Sequence, residues 1–254
     1  MQQKWRRYVD EAIHTFVDLV SLLGAVVLRL RNIEPAEAVR QGYQIGNRSA
    51  LLVTVVMAFV GAILVVQAST QAMRIVGDLS TIGPGFLQLL VREFGPTIIA
   101  LMVAARAGAG IAAELGAMSI TEQVDALRLS GAEPVAYLVG PRVLGGLLGM
   151  VPLVLWGTSV AYLAGAVVMT QRFGLAWQSY AGLQLVTWSD LWIGLSKAMA
   201  YGLAVPLVAS RSGLHATGGA PGVGRATTRA VIDGSLAILL LDLLIGTVGH
   251  LVAS

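Results

Sequence analysis

From Ser49 to Met73 the chain runs twenty-five residues without a charged side chain. As an α-helix such a run rises about 37 Å. About 20 apolar residues already cross the ~30 Å hydrocarbon core of a bilayer. A surface helix of a water-soluble domain needs a polar face, and this stretch has none. Four more apolar runs follow, Phe86 to Ala113, Val143 to Val168, Leu191 to Ser210 and Val231 to Val252. Only 12% of the 254 residues are charged and 56% are hydrophobic, against about 25% charged in an ordinary soluble domain. That composition cannot clothe a soluble surface, and disorder would need the opposite balance. The runs are also too long for barrel strands of about ten residues. The expected fold class is an all-α integral membrane protein with five transmembrane helices.

Several chemistries drop out at once. There is no cysteine, which excludes disulfides, thiolate metal sites and cysteine nucleophiles. His14, His215 and His250 lie far apart, without the spacing of a zinc-binding helix. No Gly-Lys dipeptide occurs, so the chain has no Walker A loop with which to hydrolyse ATP. Gly222-x-Gly224 opens the last apolar helix, but no strand precedes it, and a flexible turn is the better reading. No nucleophile–base pair assembles from these residues, so an enzyme is not expected.

Residues 1–48 hold seven of the seventeen Lys and Arg. Trp5, Val9, Ile13, Phe16, Val20 and Leu23 recur at helical spacing, with Asp10, Glu11, His14 and Asp18 on other faces. The pattern predicts an amphipathic helix lying in the membrane interface. A signal peptide is the rival, but acidic residues interrupt it and Leu28-Arg29-Leu30-Arg31 is no cleavage site. The division expected is an interfacial region over 1–48 and a five-helix domain over 49–254. If the first segment is inside, the inner segments carry thirteen Lys and Arg and the outer segments three. That bias places the N-terminus in the cytoplasm and the C-terminus outside. The pI near 9.5 then reflects topology and anionic lipid, not nucleic acid.

Between the second and third spans, Ser119 and Glu122 have capping-box spacing, and Gly131 and Pro134 form a helix stop. A short inner helix over about 119–130 is expected. Its polar positions are Glu122, Gln123, Asp125 and Arg128. It reads either as a connector on the membrane surface or as a docking helix for a cytoplasmic partner. Charges inside spans cost about 2.5–3.5 kcal/mol at a helix centre and usually find partners. Lys197 in the fourth span and Asp242 in the fifth are candidates to neutralise each other. Arg92 and Glu93, near the outer end of the second span, either snorkel or touch the polar head of a translocated molecule. Ala104, Gly108, Ala112 and Gly116 form a stripe of small residues, beside a second stripe of Ala105, Ala109, Ala113 and Ala117. The stripes suit close helix packing or a moving interface.

Three stretches carry a family resemblance. The first is Arg92-Glu93-Phe94-Gly95-Pro96 leading into Ala105-Arg106-Ala107-Gly108. The second is Ala113-Glu114-Leu115-Gly116-Ala117-Met118 through Thr121-Glu122-Gln123 to Pro141-Arg142. The third runs from Gly219 to Val231 and is followed by Asp242. Together they resemble the MlaE/YrbE family of ABC-transporter permeases, which work with MCE proteins. The match covers nearly everything after residue 40.

The resemblance implies a lipid permease, with phospholipid the default cargo, in a bacterial inner membrane. The implied partners are a separate ABC ATPase, a periplasmic MCE-domain protein, a small STAS-domain cytoplasmic protein and a second permease protomer. ATP and Mg would sit on the ATPase, and no cofactor on this chain. Ser119, Glu122, Gln123, Asp125 and Arg128 match the coupling helix. Arg92, Glu93 and Phe94 match the lipid site, with Val65, Met73 and Val76 as apolar wall. The rival readings are an ion-coupled secondary transporter using Lys197, Asp242 and Glu93 as a proton relay, and a passive scaffold.

Overall fold

The computed structural model describes residues 2–253 apart from Val76, Ser80 and Leu183, and the side chains of residues 14–251 apart from those three and Asn32. Expectations at Trp5, Val9, Ile13 and Val76 concern side chains outside this set. The described residues form helices and connecting turns, with no strand among them. We number the helices α1 (Gln2–Leu28), α2 (Pro35–Ile75), α3 (Ile82–Ile120), α4 (Gln123–Leu129), α5 (Val135–Phe173), α6 (Trp177–Tyr180), α7 (Trp188–Leu214) and α8 (Ala220–Ala253). Helices α2, α3, α5, α7 and α8 are long and apolar enough to cross a membrane.

Local chemistry sets the ends. Pro35 opens α2, where its missing N–H is no loss. Thr187 and Asp190 form a reciprocal capping box at the start of α7. Gly174, at φ +65°, closes α5 in the left-handed conformation that glycine adopts freely. The first spanning helix starts well before the charge-free run, so residues 35–48 are its opening turns rather than part of α1.

Helix α2 packs along α5, and α7 lies among α5, α3 and α8. Ala104, Gly108, Ala112 and Gly116 are buried, with Val205 and Ala209 against Gly108 and Ala216 against Gly116. The small stripe thus brings α3 close to α7. The parallel stripe is more open, with Ala105 and Ala117 exposed. Helix α1 buries Val26 beside Leu207, Val139 and Val143, while Phe16 and Val20 on the predicted apolar face stay exposed. Asp18 accepts from Arg211 of α7 at 2.9 Å, and Arg29 forms a two-point pair with Glu133. Helix α8 exposes Ile232, Leu236, Leu240, Leu243 and Leu244.

Three wide, π-type turns occur in these helices: Leu90–Phe94 and Ala104–Gly108 interrupt α3, and Val135–Val139 opens α5. The first and third end directly before Gly95-Pro96 and Gly140-Pro141. A proline ring collides with the carbonyl four residues back, and an extra residue in the preceding turn relieves that collision.

The short helix differs from its predicted form. Helix α3 continues through Ile120, so Ser119 has helical neighbours on both sides and cannot cap. Its hydroxyl donates to the Leu214 carbonyl at 3.2 Å instead. Glu122 turns the chain with φ at +59°, and α4 begins at Gln123. No capping box forms.

Candidate functional site

The wide turn at Leu90–Phe94 places Arg92 and Glu93 on the face of α3 that meets α7 and α8. The approach is close because Gly194 in α7 has no side chain. A Cβ there would stand 2.2 Å from the Val91 carbonyl oxygen. One turn further along α7, Lys197 is fully buried at 0% exposure. Its ammonium pairs with Glu93 on one side and with Asp242 Oδ1 of α8, at 2.8 Å, on the other. Asp242 also accepts from the Tyr201 hydroxyl at 2.7 Å and the Thr97 hydroxyl at 2.9 Å. The expected Lys197–Asp242 contact is present, and Glu93 makes it a triad.

A second branch runs from Arg92. Its guanidinium donates to Asp190 at 3.2 Å, meets His250 Nδ1 at 3.0 Å and lies 3.5 Å from Glu93. Asp190 is 1% exposed and also accepts from Gln88 at 3.1 Å. Buried carboxylates need such partners to stay ionised in a low-dielectric setting. The network joins the cations Arg92 and Lys197 to the carboxylates Glu93, Asp190 and Asp242, so its formal charge is one unit negative with His250 neutral.

The network is sealed at Lys197 and open at its rim. A cleft of about 510 Å³ is lined by Gln88, Leu89, Arg92, Glu93, Asp242, Leu243, Gly246, Thr247 and His250. Gly246 lines it beside the ion network, where a Cβ would come within 3.6 Å of Lys197 Nζ and 3.8 Å of Glu93 Oε1. Mixed charges beside apolar helix faces suit an amphiphile with a polar head. The described residues contain no group of three acidic or histidine side chains placed to hold a metal ion.

The remaining predicted residues are scattered. Phe94 and Met73 are exposed on their helices. Val65 is fully buried against Gly165 of α5, so it joins α2 to α5 and offers no open wall. Glu122, Gln123, Asp125 and Arg128 are exposed around α4, with Arg128 donating to Asp125 at 2.9 Å, and Leu129 is 90% exposed. Only Val124 turns inward as a buried residue of α4. Asp190, Tyr201, Thr97, Gln88 and His250 were not anticipated. The Thr187-x-x-Asp190 spacing is a signal that could have marked Asp190 as a cap, but nothing in it ties Asp190 to Arg92.

Five apolar helices around a partly buried ion network define an integral membrane protein of the multi-span helical class. The family described as "Permease MlaE" matches residues 38–248. A probable ABC transporter permease protein of Rickettsia typhi is 37% identical over 208 residues, covering 81% of this chain and 80% of the relative. The intermembrane phospholipid transport system permease protein MlaE of Haemophilus influenzae is 30% identical over 210 residues, covering 82% and 80%. The chloroplastic protein TRIGALACTOSYLDIACYLGLYCEROL 1 of Arabidopsis thaliana is 30% identical over 231 residues, covering 89% and 65%. The chain belongs to the MlaE family of ABC transporter permeases.

Proposed function

We propose that this chain is the permease subunit of a transporter that moves phospholipids between a bacterial inner membrane and a periplasmic channel of MCE-domain proteins, driven by a separate ATPase. The observation that carries the reading is the Glu93–Lys197–Asp242 triad at the floor of a cleft in otherwise apolar helices. The Arg92 guanidinium at the cleft suits a lipid phosphate, and the Glu93 and Asp242 carboxylates suit an amine. Exposed apolar surface, including Met73, Phe94 and Leu243, suits acyl chains. The name of the Haemophilus relative supports the cargo.

The power stroke enters through α4. Its exposed Glu122, Gln123, Asp125 and Arg128 form the surface a cytoplasmic ATPase grips. The absence of a Walker A loop supports a partner that supplies hydrolysis. A second permease protomer covers the open apolar faces of α2 and α8, and a small STAS-domain protein joins on the cytoplasmic side. The N-terminus lies in the cytoplasm and the C-terminus in the periplasm, as the Lys and Arg distribution favours. Closure of the ATPase moves α4, shifts α3 against α7 and α8, and narrows the cleft.

A chain of ionisable groups could instead relay protons, and Glu93, Lys197 and Asp242 do lie in sequence. Purification with native partners, followed by mass spectrometry of bound subunits and lipids, separates the readings. An ATPase subunit and phospholipid should co-purify. Replacing Glu122 by Arg and Arg128 by Glu should uncouple ATP hydrolysis from lipid transfer while the fold survives. Purification without an ATPase, or transfer indifferent to both changes, refutes the reading.

A further inference from the structure

The bundle's other half holds a charge of a different kind. Arg106 sits in the wide turn at Ala104–Gly108 and reaches across to α2. Its Nε donates to Ser49 Oγ at 2.9 Å, and its Nη2 to the Gln44 carbonyl at 3.0 Å. These partners are neutral. Among the described residues no carboxylate lies within 4 Å of Arg106, whereas Lys197 has two. Arg48 directly precedes Ser49, the residue that accepts from Arg106, so a second cation stands beside that contact. Arg48 makes no ion pair among the described residues and is exposed.

Depth gives the pair its meaning. Arg48 is the last charge before the twenty-five-residue charge-free run. That places both arginines where hydrocarbon gives way to head groups, at the end of the bundle that carries α4. Arg106 is thirteen residues beyond Glu93 on α3, about 20 Å of helix, so this is not the cleft already described. Gly110, one turn on, is exposed, and a Cβ there would meet nothing within 4 Å, so α3 is uncovered on that face just past Arg106. An uncompensated guanidinium in a membrane is costly. Basic pockets between spanning helices bind phosphate head groups, and arginine presents planar donors that match phosphate oxygens.

We propose that Arg106 and Arg48 form a binding site for the phosphate of a membrane phospholipid at the α4 end of the bundle. The proposal takes from the preceding reading only the assignment of that end to the cytoplasmic leaflet. The Nη1 donors of Arg106 face the phosphate, its other donors hold α3 to α2, and Arg48 adds a second positive charge. A lipid held there links α2 and α3 at the level of the wide turn.

The test is lipid binding to the full-length, delipidated chain in detergent micelles, with no ATPase and no transfer step. Its outcome is therefore separable from the transport reading. Native mass spectrometry follows titration with short-chain phosphatidylglycerol and, in a parallel arm, with inorganic phosphate. Arg48→Gln, which leaves the Arg106 hydrogen bonds in place, should weaken lipid binding about fivefold. Arg106→Gln should weaken it about tenfold or more, and Arg106→Lys should recover part of the loss. Should Arg106→Gln fail to fold, Arg48→Gln decides alone. Unchanged lipid binding in Arg48→Gln and in folded Arg106→Gln overturns the site. Inorganic phosphate binding as tightly as the lipid overturns the lipid assignment.

Discussion

Lys197 Nζ lies 2.8 Å from Asp242 Oδ1, and Glu93 closes the ammonium from the opposite side. The contact joins α7 to α8, and Glu93 ties both to α3. Lys197→Met removes the cation and leaves both carboxylates without it. Breaking a buried pair by removing one partner costs about 3–5 kcal/mol. We expect a loss of this order in unfolding measurements in detergent. Adding Glu93→Gln and Asp242→Asn to Lys197→Met should recover much of it. A charge swap of Lys197 and Asp242 should not, because the new carboxylate would face Glu93. Full rescue by the swap would show that Glu93 is not part of the unit.

Gly194 and Gly224 differ only in their surroundings. A Cβ on Gly194 would collide with the Val91 carbonyl, whereas Gly224 has nothing within 4 Å. Gly194→Ala should destabilise by about 1–3 kcal/mol through overpacking. Gly224→Ala, on the exposed first turns of α8, should be neutral or stabilising by up to about 1 kcal/mol. Thermal unfolding of the two variants under one condition checks the contrast.

Gly246 holds the mouth of the cleft. A Cβ there would make ordinary contacts with Lys197 and Glu93, so Gly246→Ala should fold normally. Gly246→Phe should fill the cleft and lower lipid transfer several-fold without lowering the unfolding temperature. Transfer at the normal rate in a folded Gly246→Phe would show that lipid does not use this opening.

Helix α1 carries a pH signature. The Arg211 hydrogen bond holds the Asp18 carboxyl below its usual range, and the Arg29 hydrogen bond does the same for Glu133. A depressed carboxylate contributes stability above its unfolded pKa and loses it as pH falls through the folded one. Both tethers are therefore intact above about pH 4 and weaken below it. Amide protection over residues 14–28, taken relative to the intrinsic exchange rate at each pH, should fall on acidification below that point while protection in α5 stays high. An equal fall in both would contradict a local tether. Because both pairs reach solvent, the effect is small.

The spanning helices were legible because apolar runs long enough to cross a bilayer have few other uses. Their ends were not. Helix α2 begins at Pro35, fourteen residues before the run, because polar residues continue a helix once it emerges from hydrocarbon. The wide turns at 90–94 and 135–139 left a trace in Gly95-Pro96 and Gly140-Pro141, but the turn at 104–108 has no proline. The Lys197–Asp242 pair was legible because a buried lysine in a span demands an anion. Glu93 as its third member was not, since nothing in sequence tells that α3 widens there and presses on Gly194. The capping box failed for a related reason. Ser119 matches the pattern, yet helical residues on both sides remove the geometry a cap needs.

The most direct test of the central claim is transfer of fluorescent phospholipid from proteoliposomes that hold the chain together with its ATPase. The account predicts transfer that requires ATP hydrolysis, persists when ion gradients are collapsed, and stops when the ATPase is omitted. Transfer by the chain alone, or transfer driven by a proton gradient without ATP, would contradict it.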